Sequence, residues 1–223
     1  MVTRRKFVEF AGIGLSLAAR RVDGKGRTAD EALQDLIAGN RRFAKGQVSA
    51  PRRHPDDFRA LAEAQYPEAV IVSCADSRVA PEILFDVGVG DIFVIRVAGN
   101  IIGGAGATVK GSIEYAIAEL NTPLVVVLGH SACGAVKSAI KHIDAKDKLP
   151  GSIEGLVELV KPAVSRSHGT PGDPLENAIR ANVQLGVERL QGLEPILAAR
   201  VKNGTLKIAG GVYDLKTGLV TLL

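Results

Sequence analysis

Two short segments of the chain carry residue types that could do chemistry together. Cys74 is followed at short spacing by Asp76 and Arg78, and His130 is followed three positions later by Cys133. Each segment comes directly after a run of apolar and β-branched residues, which is typical of a buried strand. If these strands lie parallel in one sheet, their carboxyl ends bring both segments to the same edge, where open α/β sheets bind ligands.

The two cysteines are the only ones in the chain. Thiolate sulfur and imidazole nitrogen are zinc ligands, and a catalytic zinc keeps three protein ligands and one open position. Cys74, His130 and Cys133 would supply those three ligands. A disulfide is the default interpretation of a lone cysteine pair in an exported protein, and two unrelated buried thiols are a second alternative. A redox-active pair is disfavoured because the chain has no Cys-x-x-Cys motif.

The same residues carry a family resemblance. Cys-x-Asp-x-Arg followed by His-x-x-Cys resembles the metal motifs of the β-class carbonic anhydrases. The resemblance covers nearly the whole chain after its N-terminus, from Leu36 to Leu222. Four further segments resemble segments of that family: Gly39–Phe43, Arg96–Asn100, Gly111–Ala116 and Gly211–Leu215. The resemblance implies an α/β fold with a mainly parallel central sheet flanked by helices, an N-terminal helical arm, and a zinc lyase with carbonate dehydratase activity.

The resemblance also implies a mechanism. Zinc lowers the pKa of water in its fourth position to about 7, and the resulting hydroxide attacks carbon dioxide to form bicarbonate. Asp76 would orient this hydroxide, and Arg78 would hold Asp76 ionised through charge-assisted hydrogen bonds. An ordinary ion pair at a strand end is the alternative interpretation of Asp76 and Arg78.

Asp76 is also a conditional fourth zinc ligand. Some β-class enzymes close the metal site with this aspartate at low pH, and the family associates that switch with a bicarbonate site that includes a Trp. This chain has no Trp. The resemblance therefore favours the open state, in which zinc keeps three protein ligands.

Positions that match those of the β-class carbonic anhydrases predict a substrate pocket. Gln65 matches a family glutamine that hydrogen-bonds the substrate, Phe93 and Tyr115 match aromatic positions around carbon dioxide, and Gly134 matches a glycine beside the second thiolate. From the residues alone, without the resemblance, Phe93 and Tyr115 would be interpreted as core residues. In the family, Gln65 and the aromatic residues come from a partner subunit. The resemblance therefore implies a homodimer as the smallest functional unit, or a tetramer.

Two other functions fit parts of the pattern. A hydrolase of carbonyl sulfide or carbon disulfide could use the same fold and metal. A non-catalytic bicarbonate-binding protein is a rival of another class, but loss of Asp76 or Arg78 would signal it, and both are present. His54, His142 and His168 lie in polar segments, where they could shuttle protons or simply be solvated surface residues.

Length and composition bound the remaining possibilities. The 223 residues are typical of one domain, and 46% apolar residues can build a full core. The net charge of +4 is modest, and no basic stripe interleaved with aromatics indicates nucleic-acid binding. No apolar run reaches the roughly 18 residues that span a bilayer.

Residues 1–27 differ in character from residues 28–223, which are predicted to form one domain. Thr3–Phe7 resembles a twin-arginine export signal, and the moderately apolar stretch 10–19 follows it. This pattern favours export to a bacterial periplasm. The alternative is a cytoplasmic protein in which the segment is a basic helical arm that packs on a partner subunit.

The rest of the chain alternates strands with helices. Thr28 and Glu31 predict a capping box at the start of a helix, and the last helix is predicted over 193–202. Apolar runs predict strands at 69–73, 92–97, 124–128, 206–213 and 219–222. The last two strands would be joined by a hairpin, whereas the alternation of the others predicts a mainly parallel sheet with helices on both faces.

Overall fold

The computed structural model describes residues 26–103 and 106–223, and a five-stranded sheet forms its centre. The strands are β1 (Ala69–Ser73), β2 (Ile92–Arg96), β3 (Leu124–His130), β4 (Lys207–Tyr213) and β5 (Val220–Leu222). Their order in the sheet is β2-β1-β3-β4-β5, and the first four are parallel. Only β5 runs antiparallel, paired to β4 through a hairpin. The predicted α/β fold with a mainly parallel sheet is therefore confirmed.

Helices cover both faces of this sheet. They are α1 (Ala29–Ala44), α2 (Pro55–Phe58), α3 (Pro81–Leu84), α4 (Gly106–Ala118), α5 (Gly134–Ala145), α6 (Ile153–Ser167), α7 (Pro174–Gln191) and α8 (Leu197–Lys202). Short 3₁₀ turns occupy Arg59–Leu61 and Ala98–Asn100. Within the described parts of the chain, each helix is too short or too polar to cross a membrane. The predicted signal or arm over 1–27 lies outside the described residues except for its last two.

The two faces of the sheet bury two separate apolar clusters. Val70 and Val72 of β1 face the cluster beneath α4, α5, α6 and α7, while Ala69 and Ile71 face the cluster beneath α1 and α3. Side chains alternate across a strand, so a strand covered on both faces must be apolar at every position. All residues of β1 and β3 are buried. This double burial explains why both strands could be predicted from continuous apolar runs.

The predicted start of the first helix is confirmed, whereas the predicted start of the last helix is wrong. The Thr28 hydroxyl accepts from the Glu31 N–H at 3.3 Å, and the Glu31 carboxylate accepts from the Thr28 N–H at 2.9 Å, which is the predicted capping box. The helix predicted over 193–202 was placed too early, since α8 begins only at Leu197. Pro195 interrupts the segment because it has no backbone N–H to offer a helix.

A buried asparagine joins α1 to the other side of the fold. The Nδ2 group of Asn40 donates to the carbonyl oxygens of Leu84 and Gly218, and its Oδ1 accepts from the Val220 N–H at 2.8 Å. Asn40 is only 1% exposed. One side chain thereby ties α1 to the end of α3 and to the β4–β5 hairpin, and its amide is satisfied without water.

The neighbouring glycine offers a test of this packing. A Cβ at Gly39 would lie 1.8 Å from the carbonyl oxygen of Phe85, a backbone atom that cannot move aside. We expect Gly39→Ala to lower the free energy of unfolding by at least about 3 kcal/mol, measured by denaturant unfolding. Gly155→Ala is the matched control, because its Cβ would meet nothing within 4 Å. The control should be neutral or stabilising by up to about 1 kcal/mol. Equal stability of the two variants would contradict the close contact.

Candidate metal centre

The parallel pairing of β1 and β3 places the chemically interesting residues at one edge of the sheet. Cys74 directly follows β1, and His130 is the last residue of β3. Ser73 is aligned with Leu128 in the register of the two strands, so the following segments emerge side by side. Cys133 is the N-cap residue of α5, one short turn beyond β3. Both predicted motifs therefore lie together at the carboxyl ends of β1 and β3.

The two thiols and the imidazole form a compact, buried group. Sγ of Cys74, a ring nitrogen of His130 and Sγ of Cys133 all lie within 4.8 Å of one another. Both cysteines are free thiols. The hydrogen bond between them raises the pKa of Cys133, with burial adding to the effect, and lowers the pKa of Cys74. Without a cation, one proton is therefore retained between the two sulfurs, whereas a divalent metal would let both act as thiolates.

The histidine is oriented as a metal ligand requires. Its side chain is fully buried, and Nδ1 lies 2.9 Å from the carbonyl oxygen of Ser131, to which the Nδ1–H donates. This leaves Nε2 as the nitrogen with the free lone pair. Within the described residues, Nε2 of His130 is buried and has no hydrogen-bond partner. A buried nitrogen of this kind costs free energy unless something binds it, so the donor set fits zinc.

Backbone groups surround the first thiol. Sγ of Cys74 accepts from the N–H of Asp76 at 3.4 Å and from the N–H of Gly99 at 3.2 Å. Arg96 at the end of β2 holds the same turn, because its guanidinium donates to the carbonyl oxygens of Cys74 at 3.1 Å and of Asp76 at 2.6 Å. Hydrogen bonds to the sulfur of Cys74 and to the carbonyl oxygens of Cys74 and Asp76 therefore fix the turn after β1.

Asp76 and Arg78 form a bidentate ion pair beside the two thiols and the imidazole. Nε of Arg78 donates to Oδ1 of Asp76 at 2.9 Å, and Nη2 donates to Oδ2 at 2.7 Å. Oδ2 of Asp76 lies 3.8 Å from Nε2 of His130. The Arg78 guanidinium holds the pKa of the Asp76 carboxyl well below its usual range. Asp76 is therefore an ionised carboxylate at neutral pH, facing the group of ligand atoms.

Comparison with known proteins places the chain in a family. The carbonic anhydrase family model matches residues 69–220. Carbonic anhydrase 2 of Mycobacterium tuberculosis is 40% identical over 191 residues, which cover 86% of this chain and 91% of the relative. The carbonic anhydrase of Mycolicibacterium smegmatis is also 40% identical, over 86% of this chain and 90% of the relative. The chain belongs to the β-class carbonic anhydrase family.

Solved structures agree with this assignment. The β-carbonic anhydrase CcaA superposes with a TM-score of 0.66 at 34% identity, over 85% of this chain and 94% of that chain. One of two tetrameric β-carbonic anhydrases from Sordaria macrospora superposes with a TM-score of 0.67 at 24% identity, over 86% and 97% of the two chains, and supports the fold alone. Family membership and the Cys–His–Cys group confirm the predicted family, enzyme class and zinc cofactor.

The predicted pocket residues of this carbonic anhydrase lie apart from its own metal centre, with one exception. Phe93 is aligned with Val70 near the start of β1, so Cys74 lies about 13 Å further along the strand direction at about 3.3 Å per residue. The rings of Phe93 and Tyr115 are 6.3 Å apart, and Tyr115 is 48% exposed. Gln65 is exposed and precedes β1. Phe93 and Tyr115 therefore pair with each other, and Gln65 precedes β1, so all three lie away from the end of β1 that carries Cys74.

Gly134 is the exception, because it lies at the metal centre. It is the first residue of α5, directly after Cys133, and a Cβ built there would meet nothing within 4 Å. The glycine therefore borders open space beside the second thiol.

Sequence reasoning missed three side chains that support the centre of this carbonic anhydrase. Arg96 holds the turn after β1, as described above. The hydroxyl of Ser131 accepts from the Leu215 N–H at 2.9 Å, which ties the loop after β3 to the β4–β5 hairpin. Asn182 of α7 donates to the carbonyl oxygen of Gly99 at 2.8 Å. Arg96 lies in a segment with a family resemblance and Ser131 lies within the His-x-x-Cys motif, at a position that the motif leaves unspecified, whereas no local pattern identifies Asn182.

Proposed function

We propose that this protein interconverts carbon dioxide and bicarbonate with a zinc ion held by Cys74, His130 and Cys133. The observation that carries the proposal is the buried, partnerless Nε2 of His130 beside two buried thiols. Two thiolates balance the charge of the ion, and three protein ligands leave one coordination position for water. When bound, zinc lowers the pKa of such a water to about 7 and makes it a nucleophile near neutral pH.

Asp76 directs the attacking water in this proposal. Its carboxylate lies next to His130 and remains ionised, so it accepts a hydrogen bond from the water and turns a lone pair towards carbon dioxide. Arg78 fixes the carboxylate by two parallel hydrogen bonds, which restrict both its position and its rotation. Arg96 in turn fixes the backbone that carries Asp76.

The same contacts support the open form of the centre. Both carboxylate oxygens of Asp76 are engaged by Arg78, and closure by Asp76 as a fourth ligand would break at least one of these bonds. The structural donor group comprises Cys74, His130 and Cys133, without Asp76. We therefore propose three protein ligands, with the remaining position accessible to water.

The pocket for carbon dioxide is proposed to form between two copies of the chain. Gln65, Phe93 and Tyr115 lie towards the end of the sheet opposite their own metal centre. β2 is an edge strand, and Phe93 and Ile95 on it are only partly buried. In a two-fold symmetric dimer through this edge, the contacts that one subunit makes with its partner are repeated in reverse. The aromatic pair of each copy would then lie at the metal centre of the other copy.

Complementation between two impaired variants tests this shared pocket. Asp76→Asn removes the reacting carboxylate, whereas Phe93→Ala removes part of the pocket. A mixed dimer contains one site with Asp76 from one copy and Phe93 from the other, so a random mixture should regain about a quarter of the unaltered activity. Each variant alone, treated in the same way, is the control. A mixture no more active than these controls would contradict the shared site.

The substrate is tested by a direct comparison of small electrophiles. Purified protein is expected to hydrate carbon dioxide in a stopped-flow assay and to release little hydrogen sulfide from carbonyl sulfide or carbon disulfide. Release of hydrogen sulfide without hydration of carbon dioxide would instead assign the protein as a hydrolase of these sulfur compounds. Binding of bicarbonate without turnover of any of the three would assign a non-catalytic role.

We also propose that residues 28–223 form one domain and that residues 1–27 direct export by the twin-arginine route. This route carries folded proteins, so zinc could be loaded in the reducing cytosol before the thiols oxidise. The support is the sequence pattern around Arg4 and Arg5. A reporter fused to residues 1–27 should reach the periplasm and should remain in the cytoplasm when both arginines are replaced by lysine.

A further inference from the structure

Asn182 is a buried amide on α7 that reaches the metal centre through one glycine. It is 6% exposed, and its Nδ2 donates to the carbonyl oxygen of Gly99 at 2.8 Å. The N–H of Gly99 in turn donates to Sγ of Cys74 at 3.2 Å. A chain of two hydrogen bonds therefore runs from α7 to a zinc ligand, although Asn182 and Gly99 lie 83 positions apart in sequence.

Gly99 occupies a backbone position that favours glycine. Its φ is +72°, in the left-handed region, and a Cβ there would lie 3.2 Å from Cβ of Ala135. Glycine meets both requirements, but it is also the residue whose backbone rotates most freely. The direction of its N–H depends on the torsion angles on either side of its Cα. Fixing the carbonyl oxygen of Gly99 therefore restrains its N–H as well.

The geometry points to Asn182 as a positioning residue of the metal centre. We propose that it holds Gly99 in the one conformation that aims the Gly99 N–H at the sulfur of Cys74. This hydrogen bond stabilises negative charge on the thiolate and limits the electron density that the sulfur donates to the metal. Partners of metal ligands commonly tune metal affinity in this way. The inference rests on the proposed zinc site.

Asn182→Leu tests the inference, because leucine has the same number of side-chain heavy atoms, branched at the same carbon, and no hydrogen-bond donor. In the cobalt-substituted protein, we expect the thiolate-to-cobalt charge-transfer band to move to lower energy, since a sulfur without the hydrogen bond is the better electron donor. In the zinc protein, we expect transfer of the metal to a chelator to become about 10–100-fold more favourable, because Gly99 would then be free to rotate and would no longer hold the Cys74 thiolate in place for the metal. Neither readout depends on carbon dioxide hydration. Asn182→Ala, which also lacks the donor, serves if the leucine variant does not fold.

Leu190→Ala is the matched control. Leu190 is fully buried in the same helix, about 12 Å further along it at about 1.5 Å per residue. The control should lose stability while keeping the cobalt spectrum and the zinc affinity of the unaltered protein. An unchanged spectrum and affinity in the Asn182 variants, or an equal change in Leu190→Ala, would overturn the positioning role. Absence of a thiolate band in the unaltered protein would overturn the zinc site itself, and the inference with it.

Discussion

Asp76→Asn is expected to lower the rate of carbon dioxide hydration by about 10–100-fold while the protein keeps one zinc per chain. The amide is nearly the same size as the carboxylate, so the turn after β1 should be retained. It carries no charge, however, and one of its two terminal atoms is a donor, so it cannot keep the two parallel hydrogen bonds that Arg78 makes to Oδ1 and Oδ2. Stopped-flow hydration and metal analysis on the same sample separate loss of activity from loss of metal.

The ionisation of Asp76 sets the pH range over which the hydration rates of Asp76→Asn and the unaltered protein can be compared. The hydrogen bonds from Arg78 depress the pKa of Asp76 in the folded protein. A carboxylate with a depressed pKa stabilises the fold fully above the pKa of the unfolded chain, about 3.9, and loses that contribution as the pH falls further. Between about pH 6.5 and 9 Asp76 stays ionised, so any change of rate in that range belongs to another group, such as the water.

A second aspartate provides the control for this substitution. Asp147 pairs with His142 after the end of α5, with Oδ1 at 2.8 Å from the ring nitrogen. It is likewise an aspartate with a side-chain partner, but it follows the carboxyl end of α5, whereas Cys133 lies at the N-cap of that helix. Asp147→Asn should leave hydration unchanged. Full activity of Asp76→Asn would remove Asp76 from the mechanism.

Cys133→Ala is expected to reduce zinc from one per chain to almost none and to destabilise the protein. Only two of the three ligands, Cys74 and His130, would remain. A metal that binds only the folded state stabilises it by about 4 kcal/mol when its free concentration is a thousand times its dissociation constant. Zinc analysis and thermal unfolding in zinc-containing buffer measure both effects.

A chelator separates the two origins of that destabilisation. Cys133 is 1% exposed, so its truncation also leaves a small cavity in the core. With a strong chelator present, the unaltered protein should lose the zinc contribution, and the two proteins should differ only by the cavity. A gap of unchanged size in chelator would mean that zinc does not stabilise the fold. A variant that retained one zinc per chain would exclude Cys133 as a ligand.

The sheet and its motifs could be predicted because they depend on local patterns. β1 and β3 are buried on both faces, so each is a continuous apolar run, and each run ends at a motif. The capping box at Thr28 is equally local, since both of its hydrogen bonds lie within four residues. β3 nevertheless continues to His130, beyond the predicted end of the strand at 128. The apolar run did not extend to Gly129, because glycine adds no apolar side chain.

The supporting contacts could not be predicted, because they join residues that are distant in sequence. Asn182 lies inside a helix, and a polar residue in a helix is ordinarily assigned to its solvated face. Its partner is a backbone oxygen, which carries no sequence signature. Ser131 likewise binds the backbone N–H of Leu215 across the sheet edge. Such contacts follow only from the packed arrangement of β2, β3, α7 and the hairpin.

The most direct test of this account is the rate of carbon dioxide hydration as a function of zinc content per chain. Preparations of the full-length protein with different zinc contents would be compared in stopped-flow measurements from about pH 6.5 to 9. The account predicts a rate that rises in proportion to zinc and levels off at one zinc per chain. Hydration that is independent of zinc, or fully loaded protein that does not hydrate carbon dioxide at any pH in this range, would contradict it.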